Sequence, residues 1–335
     1  MTDFDVETVT YRFRASITTA HGTLHQREVL VLQLRDERGI QGIGEAAPLP
    51  GYGRGSLADA RTDLVEALSD SPTPSGFGYR TPQAASALDV ATRDLDARRR
   101  ARPFLDGLCE QPSGSIRVNA TVAATDRAGA SREAAAAVEA GFSCVKLKVG
   151  VGDDAGRVAA VRAAVGPDTA IRIDANGAWS PDEAVAALRS LAPAGIEMCE
   201  EPVHGVAGLG EVRERLGGEV PIAMDESASE PGALDSGVCD FVCLKTASAG
   251  GITSLLDGAR RAREAGSEVY VASTYDGPIG IAAGLHAAAA LGPDIPACGL
   301  ATLPLFANVD DPFPARDGRI QVPRGPGLGV TWPVG

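Results

Sequence analysis

The chain of 335 residues lacks an excess of basic charge, a long apolar run and a basic N-terminal segment. Its 31 Lys and Arg residues stand against 44 Asp and Glu residues, and the formal net charge of −13 argues against a nucleic-acid partner. The longest apolar stretch, Ile279–Leu291, is too short to cross a bilayer, and the acidic N-terminus does not resemble a secretion signal. We therefore expect a cytoplasmic protein without a nucleic-acid or membrane partner.

Several chemical motifs are missing as well. The six cysteines include no Cys-x-x-Cys pair, and Cys239 and Cys243 have no histidine at ligand spacing, which argues against zinc. No Gly-x-Ser-x-Gly motif marks a serine nucleophile. The histidines do not cluster in the sequence: His21, His25, His204 and His286. We expect the cysteines to be reduced and mostly buried, His286 to be structural, and the loop with His21 and His25 to lie near the substrate.

The first part of the chain shows the pattern of a small α+β domain, which we place at residues 1–105. Ser56 and Thr81 stand where helix-capping side chains are expected, and Pro82 stands in a first helical turn. The expected elements are the strands Val6–Ile17, Glu28–Leu34 and Gly42–Ala47 and the helices Ser56–Leu68 and Thr81–Arg99. A Gly-x-Gly pair in the third strand has the spacing of a dinucleotide fingerprint, but two prolines directly after it prevent a helix from beginning there.

From residue 116 onwards, short apolar runs recur at a steady interval and alternate with helical patterns. Eight of these runs are predicted strands: Ile116–Val122, Cys144–Val149, Ala170–Asp174, Ile196–Glu200, Pro221–Asp225, Phe241–Lys245, Glu268–Ser273 and Ala297–Ala301. The clearest helix begins at Ser180, where a capping serine, a first-turn proline and a returning glutamate coincide. This alternation predicts an α/β fold with a (β/α)-barrel at residues 106–305, and a doubly wound sheet is the alternative. The Pro- and Gly-rich tail, residues 306–335, is expected to pack back on the first domain.

Polar side chains stand at the carboxyl ends of successive predicted strands, where an apolar run would otherwise simply end. They are Lys146 and Lys148, Asp174 and Asn176, Glu200 and Glu201, Asp225 and Glu226, and Lys245. Each step from one strand to the next spans 20 to 26 residues, which is the length of one β/α unit. These side chains are therefore expected to surround one mouth of the barrel, where barrel enzymes carry their active sites.

Three acidic side chains that meet at this mouth would repel each other unless a cation neutralised them. The expected ligands of this cation are Asp174, Glu200 and Asp225. Oxygen ligands of this kind suit Mg²⁺ or Mn²⁺. Lys148 and Lys245 would then stand on opposite sides of the metal, ready to remove the α-proton of a bound carboxylate substrate. The metal and the nearby Lys146 would lower the pKa of Lys148 to about 7 to 8, so that Lys148 can act as a base.

Each of these motifs, taken singly, is most often an ordinary strand end or turn, and only their matched spacing favours an active site. Two classes of protein compete with this interpretation. One is a catalytically silent barrel that serves as a binding or scaffold protein, although the buried lysines facing three acids argue against it. The other is an aldolase that forms a Schiff base through one lysine, which would not need three metal ligands.

The residues resemble the enolase superfamily, in its muconate-lactonizing-like branch with two opposed lysines. The matching segments are Val145–Lys148, Arg172–Gly177, Glu200–Pro202, Asp225–Ser227 and Lys245, together with Gly42–Pro50 and Ala87–Leu95 in the first domain. The resemblance implies a modified barrel under an N-terminal capping domain, whose loops close over the mouth and carry much of the substrate specificity. It also implies a bound Mg²⁺ and a small carboxylate substrate.

Two further segments, Arg117–Val122 and Ala297–Leu303, resemble the o-succinylbenzoate synthases of actinobacterial type within this branch. The implied reaction is the dehydration of 2-succinyl-6-hydroxy-2,4-cyclohexadiene-1-carboxylate to o-succinylbenzoate, in menaquinone biosynthesis. Lys148 would abstract the proton to give a metal-stabilised enediolate, Lys245 would stabilise that enediolate, and Lys148 would protonate the departing hydroxyl. The residues expected around the substrate or behind the ligands are Asn176, Glu226, Asn119, Gly250, Gly251, Ser273, Asp276 and Leu303.

The alternatives in the same branch are an N-acylamino acid racemase and a dipeptide epimerase, which would use Lys148 and Lys245 as two bases. The N-succinylamino acid racemases typically carry an arginine where this chain has Ser248, and the epimerases usually show Asp-x-Asp where this chain has Gly299–Ala301. Both differences favour the synthase, whereas Asp276 stands where a glutamate is usual. The substrate therefore stays open between these reactions, and a homo-oligomer is compatible with the sequence.

Overall fold

The computed structural model describes residues 3–19, 22–50, 55–69, 81–150 and 152–332. The chain begins with an antiparallel sheet in the order β1-β2-β3, formed by β1 (Asp3–Thr19), β2 (Gly22–Arg35) and β3 (Gln41–Ala46). Two helices follow, α1 (Leu57–Leu68) and α2 (Pro82–Arg99). The α+β prediction for this part of the chain is confirmed, because all five predicted elements are present with only their ends shifted.

Both helices begin at the residues that the capping pattern predicted. The Ser56 hydroxyl accepts the N–H of Asp59, and the Asp59 carboxylate accepts the N–H of Ser56, which completes a capping box. Thr81 caps α2, and Pro82 occupies its first turn. The buried carboxylate of Asp63 on α1 accepts both the N–H (2.8 Å) and the hydroxyl (3.0 Å) of Thr81. This contact joins the middle of α1 to the start of α2.

The Gly-x-Gly pair of β3 has a packing role. A Cβ atom at Gly42 would lie 2.2 Å from the carbonyl oxygen of Ala91, and a Cβ atom at Gly44 would lie 1.9 Å from that of Ala87. Both distances are far below van der Waals contact, so only glycine lets α2 lie directly against β3. The sequence excluded a nucleotide site at this pair but did not indicate this close approach.

The second part of the chain alternates strands and helices around a curved sheet. After the short strand β4 (Ser115–Arg117) come β5 (Ala120–Val122), β6 (Cys144–Lys148), β7 (Ala170–Asp174), β8 (Ile196–Glu200), β9 (Ile222–Met224), β10 (Phe241–Leu244) and β11 (Glu268–Val271). The helices are α3 (Arg127–Glu139), α4 (Asp154–Val165), α5 (Pro181–Leu191), α6 (Val206–Leu216), α7 (Thr246–Ala249), α8 (Ile252–Glu264) and α9 (Pro278–Ala290). Strands β5 to β11 form one parallel sheet in the order of the sequence.

A two-residue contact takes the place of the predicted eighth strand. Val118 forms a parallel bridge with Cys298, and Ala272 forms another with Gly299. The N–H of Gly299 also donates to the carbonyl of Val271 at the end of β11 (2.9 Å). The glycine in this short run disfavours a longer strand. The barrel prediction is confirmed as an architecture, with seven regular strands and this closure where eight strands were expected.

The first predicted barrel strand is divided in the structure. Its beginning, β4, pairs antiparallel with β12 (Arg319–Gln321) in the tail, whereas its end, β5, joins the parallel sheet. The tail also contacts the first sheet, because the N–H of Ala307 donates to the carbonyl of Arg12 (2.7 Å). Farther on, the N–H of Leu328 donates to Asp94 on α2 (2.6 Å). The tail thus contacts both parts of the chain, while the boundaries at residues 105 and 305 stay predictions.

The apolar segment that contains His286 forms a helix in the core. Helix α9 is buried along nearly its whole length, and its His286 is 1% exposed, with its Nε2 atom 3.1 Å from the carbonyl of Leu328. A structural role for His286 therefore fits its surroundings.

All six cysteines are free, and five of them are buried. Within the described part of the chain, no helix is both long and apolar enough to cross a membrane.

Candidate active site

The carboxyl ends of the parallel strands bring the predicted site residues into one row. In the register of the sheet, Lys148 on β6 pairs with Asp174 on β7, and Asp174 pairs with Glu200 on β8. Asp225 and Lys245 directly follow β9 and β10 at the same end of the sheet. The row exists because each β/α unit returns the chain to the same level of a parallel sheet.

Lys146 lies between two of the carboxylates. Its Nζ atom is 2.9 Å from Asp174 Oδ2 and 2.6 Å from Glu200 Oε1. Burial alone would lower the pKa of Lys146, but the carboxylates of Asp174, Glu200 and Asp225 outweigh it and raise this pKa well above its ordinary value. Lys146 is therefore a charged counter-ion here, whereas the sequence had suggested that it acts mainly on the pKa of Lys148.

Lys148 and Lys245 approach the mouth from different sides. Lys148 donates to the side-chain oxygen of Asn176, and its Nζ atom lies 3.7 Å from Asp174 Oδ2. Lys245 Nζ lies 2.7 Å from each of the two carboxylate oxygens of Asp225. Strands β7, β8 and β9 separate β6 from β10 in the sheet. A ligand at the mouth can therefore have an amine on either side.

These three lysines are the only lysines in the chain. The remaining Lys and Arg residues of the sequence are all arginines. An amine can lose its proton when its surroundings lower its pKa, whereas the guanidinium group of arginine stays charged. A count of residue types in the sequence indicates this gathering of every lysine at one mouth, whereas the spacing of the strand ends does not.

The three predicted ligand carboxylates differ in their charge environment. Burial would raise the pKa of Asp174, but Lys146 and Lys148 together lower it well below its ordinary range. Burial raises the pKa of Glu200 and of Asp225, and the neighbouring ammonium groups offset this only in part. For Glu200 and Asp225, the neighbouring lysines therefore do not fully offset the cost of burying the charged form, and a bound cation would relieve this cost.

The donor atoms present fit an oxygen-ligated divalent cation. One oxygen each of Glu200 and Asp225 and the Sγ atom of Cys243 lie within 4.8 Å of one another. Asp174 contacts the same ammonium group of Lys146 as Glu200 does, so the three predicted ligand carboxylates would hold the cation together. Carboxylate oxygens are ligands that Mg²⁺ and Mn²⁺ prefer. The sequence did not indicate Cys243, although it stands two residues before Lys245.

Asn176 and Glu226 form a second layer beside Lys148. Asn176 adopts a φ of 45°, an uncommon conformation for a residue other than glycine, and its Nδ2 atom donates to Glu226 Oε1 (3.0 Å). The other oxygen of Glu226 is buried without a hydrogen-bond partner. The two predicted residues therefore lie together, and the amide oxygen of Asn176 fixes the amine of Lys148.

Glu201 is a site residue to which the sequence reasoning gave no role. It is fully buried and has a φ of 41°. Its carboxylate accepts the N–H of Asp225 (2.8 Å) and both the N–H (3.1 Å) and the hydroxyl of Ser227. Burial raises the pKa of Glu201 to about 8 despite these bonds. Because it binds the backbone of Asp225 itself, Glu201 holds the end of β9 in position.

For five other predicted residues, the structure shows contacts with residues other than these lysines and carboxylates. Asn119 is buried, and its N–H donates to Cys298 at the barrel closure (3.1 Å). The hydroxyl of Ser273 lies 3.0 Å from that of Thr302, and Leu303 is part of the hydrophobic core. Gly250 and Gly251 follow α7, where a Cβ atom at Gly251 would lie 2.6 Å from a carboxylate oxygen of Asp89 on α2.

The remaining predicted residue, Asp276, belongs to a buried charge cluster between the first sheet and the barrel. Arg27 on β2 donates to the backbone carbonyls of Ala47 (2.7 Å) and Pro48 (2.8 Å), which directly follow β3. Glu45 on β3 accepts the N–H of Gly277 at the start of α9 (2.7 Å). Burial and then the charge of Asp276 raise the pKa of Glu45 to about 8. His21 lies outside the described residues.

Family comparisons match most of the chain. Residues 2–108 match the model described as "Mandelate racemase / muconate lactonizing enzyme, N-terminal domain". Residues 129–333 match the model described as "Enolase C-terminal domain-like". The two matches together include both the first sheet and every lysine and carboxylate of the row at the mouth.

Two curated relatives carry the same name. The o-succinylbenzoate synthase of Mycobacterium tuberculosis is 42% identical over 273 residues, which cover 75% of this chain and 77% of that protein. The o-succinylbenzoate synthase of Thermobifida fusca is 42% identical over 224 residues, which cover 63% of this chain and 67% of that protein.

Solved structures extend the similarity to nearly the full length. A substrate-liganded L-Ala-D/L-Glu epimerase from Bacillus subtilis matches with a TM-score of 0.86 and 26% identity, covering 98% of this chain and 97% of that one. A muconate lactonizing enzyme from Pseudomonas fluorescens matches with a TM-score of 0.88 and 25% identity, covering 98% of this chain and 95% of that one.

Proposed function

Because this chain belongs to the enolase superfamily, in its muconate-lactonizing-like branch, we propose that it is an o-succinylbenzoate synthase. The reaction is the dehydration of 2-succinyl-6-hydroxy-2,4-cyclohexadiene-1-carboxylate, as a step of menaquinone biosynthesis. The cytoplasmic location, the absence of a nucleic-acid or membrane partner and the homo-oligomeric state stay predictions.

The observation that carries the proposal is the row of strand ends that holds Lys148, Asp174, Glu200, Asp225 and Lys245. Two amines that face each other over three buried carboxylates are suited to removing a proton beside a carboxylate and to stabilising the charge that results. The shared name of the two actinobacterial relatives supports the dehydration among the reactions that such a site can perform.

The proposed steps follow from the two amines. Neutral Lys148 takes the α-proton from the substrate, and the electron pair of the broken C–H bond moves toward the carboxylate to form an enediolate. The ammonium of Lys245 stabilises this charge from the other face. When the pair returns to form the ring double bond, the C–O bond to the hydroxyl breaks and Lys148 gives its proton to the leaving oxygen as water.

The carboxylates have a separate role in this proposal. Asp174, Glu200 and Asp225 would hold Mg²⁺, or Mn²⁺ in its place, which when bound supplies positive charge to stabilise the developing negative charge on the substrate carboxylate. Asn176 keeps the amine of Lys148 pointed toward the mouth, and Glu201 keeps the backbone of Asp225 fixed.

An N-acylamino acid racemase or a dipeptide epimerase is the second candidate. It is favoured by the similarity to the Bacillus subtilis epimerase and by the presence of an amine on each side, since racemisation needs one base on each face. Ser248 and the segment Gly299–Ala301 lack the arginine and the paired aspartates that such enzymes typically carry.

A comparison of substrates separates the two. The purified protein with Mg²⁺ is incubated with the cyclohexadiene carboxylate and, separately, with N-succinylamino acids and dipeptides. We expect a higher kcat/KM for formation of o-succinylbenzoate. A higher kcat/KM for exchange of the α-proton of an N-succinylamino acid or a dipeptide would contradict the proposed function and favour the second candidate.

A further inference from the structure

Tyr270 on β11 reaches the site from inside the barrel. Its hydroxyl donates to Glu200 Oε2 (2.6 Å), while the other oxygen of Glu200, Oε1, receives the ammonium of Lys146 (2.6 Å). The two oxygens of this carboxylate are therefore not equivalent. Oε1 lies beside Lys146 and Asp174 at the mouth, and Oε2 is bonded to a phenol in the interior.

The ring of Tyr270 also contacts a second buried side chain, Arg172. The guanidinium carbon of Arg172 on β7 lies 5.0 Å from the ring centroid, a cation–π contact. Arg172 is itself fixed by bonds to Glu197 and to the carbonyl of Ala297. Tyr270 and Arg172 are among the largest fully buried side chains of the described part of the chain. The hydroxyl therefore cannot turn away from Glu200 without disturbing a packed interior.

This arrangement limits how Glu200 can bind a cation. A cation that used both oxygens of Glu200 would have to displace the Tyr270 hydroxyl and leave it buried without an acceptor, which is unfavourable. A cation that used Oε1 alone would compete with Lys146 for that oxygen and would leave the bond between Tyr270 and Oε2 intact. Mg²⁺ requires a near-octahedral shell in which a carboxylate supplies one oxygen, whereas Ca²⁺ readily takes both oxygens of one carboxylate.

We propose that Tyr270 is a positioning residue that restricts Glu200 to a single metal-binding oxygen and so makes the site prefer Mg²⁺ over Ca²⁺. The proposal rests on the proposed function, because it takes Glu200 as a metal ligand. The sequence pattern gave Tyr270 no role, because a tyrosine within an apolar strand is usually part of the hydrophobic core.

The test compares Tyr270→Phe with Tyr11→Phe as a matched control. The hydroxyl of Tyr11 is buried without a partner, so its removal breaks no hydrogen bond in the described structure. Binding of Mg²⁺ and of Ca²⁺ is measured by isothermal titration calorimetry for the unaltered protein and both variants. We expect the Kd for Mg²⁺ to rise about tenfold in Tyr270→Phe, with a smaller rise or a fall for Ca²⁺. The control should keep the original ratio of the two constants.

The ratio separates positioning from a general loss of structure, because a loosened site would weaken both ions alike. An unchanged ratio in Tyr270→Phe would overturn the inference while the proposed function stands. If the unaltered protein bound neither ion, the proposed function itself would fail.

A second measurement does not depend on any variant. Crystals of the unaltered protein grown with CaCl₂ are expected to show Glu200 bound through one oxygen, with its bond to Tyr270 intact. A Glu200 that binds Ca²⁺ through both oxygens, with the Tyr270 hydroxyl displaced, would overturn the inference.

Discussion

At the scale of single residues, the mouth of the barrel is a set of opposite charges in close pairs. Lys146 lies between Asp174 and Glu200, and Lys245 lies against Asp225. Buried charges of this kind are costly unless they are paired, and removing one partner leaves the other uncompensated. Substitutions here therefore have to be chosen so that a lost reaction is not mistaken for a lost fold.

Lys148 is the residue where this separation is cleanest, because it contacts Asp174 at 3.7 Å while Lys146 remains the nearer counter-ion of that carboxylate at 2.9 Å. We expect Lys148→Ala to lower kcat by about two to four orders of magnitude, since the loss of a general base has effects of this size. The measurement is the rate of substrate dehydration, together with calorimetric binding of Mg²⁺, which should persist.

Lys148→Arg serves as the matched variant, because it keeps a positive charge but cannot supply a neutral base at neutral pH. It should be as inactive as the alanine variant and unfold at a temperature close to that of the unaltered protein. An arginine variant with substantial turnover would show that position 148 contributes charge alone.

The sequence predicted correctly that these residues lie together at the ends of neighbouring strands, while their roles stay predictions. Lysine, aspartate and glutamate at intervals of one β/α unit could be placed at one mouth without any coordinates, because parallel strands share a direction. It could not predict which charges touch. The insertion of Lys146 between two acids, the bond from Tyr270 and the approach of Cys243 depend on side-chain packing across strands that are distant in sequence.

At the scale of elements, a helix and a strand approach each other unusually closely in the first domain. Helix α2 lies on β3 over Gly42 and Gly44, and the same helix contacts the barrel through Asp89, which accepts the N–H of Ile252 (2.8 Å). Displacing α2 from the sheet would therefore also disturb the start of α8. The predicted division into strands and helices was sound here, but the distance between them depends on two absent Cβ atoms.

Gly44→Ala tests this close packing. The new Cβ atom would lie 1.9 Å from the carbonyl oxygen of Ala87, so strand and helix must separate. We expect a loss of about 1 to 3 kcal/mol in the free energy of unfolding, the usual range for overpacked cores. Urea unfolding followed by circular dichroism measures it.

Gly325→Ala is the control, because a Cβ atom at Gly325 would have no neighbour within 4 Å. The control should unfold at nearly the same urea concentration as the unaltered protein. Equal stability of the two variants would mean that the contact between α2 and β3 adjusts without cost.

At the scale of the whole molecule, Glu45 joins the first sheet to the barrel. Its carboxylate accepts the N–H of Gly277 at the start of α9, next to Asp276 and Arg27. Burial, followed by the charge of Asp276, raises the pKa of Glu45 from 4.5 to about 8. The junction between the two parts of the chain therefore contains an acid that the folded state keeps protonated at neutral pH.

This raised pKa predicts that stability falls as the pH rises. The unfolded chain loses the proton of this group near pH 4.5, whereas the folded chain keeps it until about pH 8, so the contribution of Glu45 is fully present below 4.5 and is lost across that window. Each unit of pKa corresponds to about 1.4 kcal/mol, which makes the total loss on the order of 5 kcal/mol. Glu45→Gln should flatten the decline in the free energy of unfolding between pH 5 and 8. This free energy is measured by urea denaturation at a series of pH values.

Glu139→Gln, at an exposed position near the end of α3, is the control for the loss of one carboxylate. It should leave the pH profile unchanged. A Glu45→Gln profile as steep as that of the control would mean that the junction holds Glu45 in its charged form.

Because every lysine lies at one mouth, proteolysis can follow the folding and unfolding of this protein. A protease that cleaves after lysine has three places to cut, two in β6 and one directly after β10, and all of them are held inside the barrel sheet or at its edge. The closed barrel should resist it, since cleavage requires an extended and accessible backbone. The open chain would be cut only at these points, so each fragment released would report an opening of this end of the barrel.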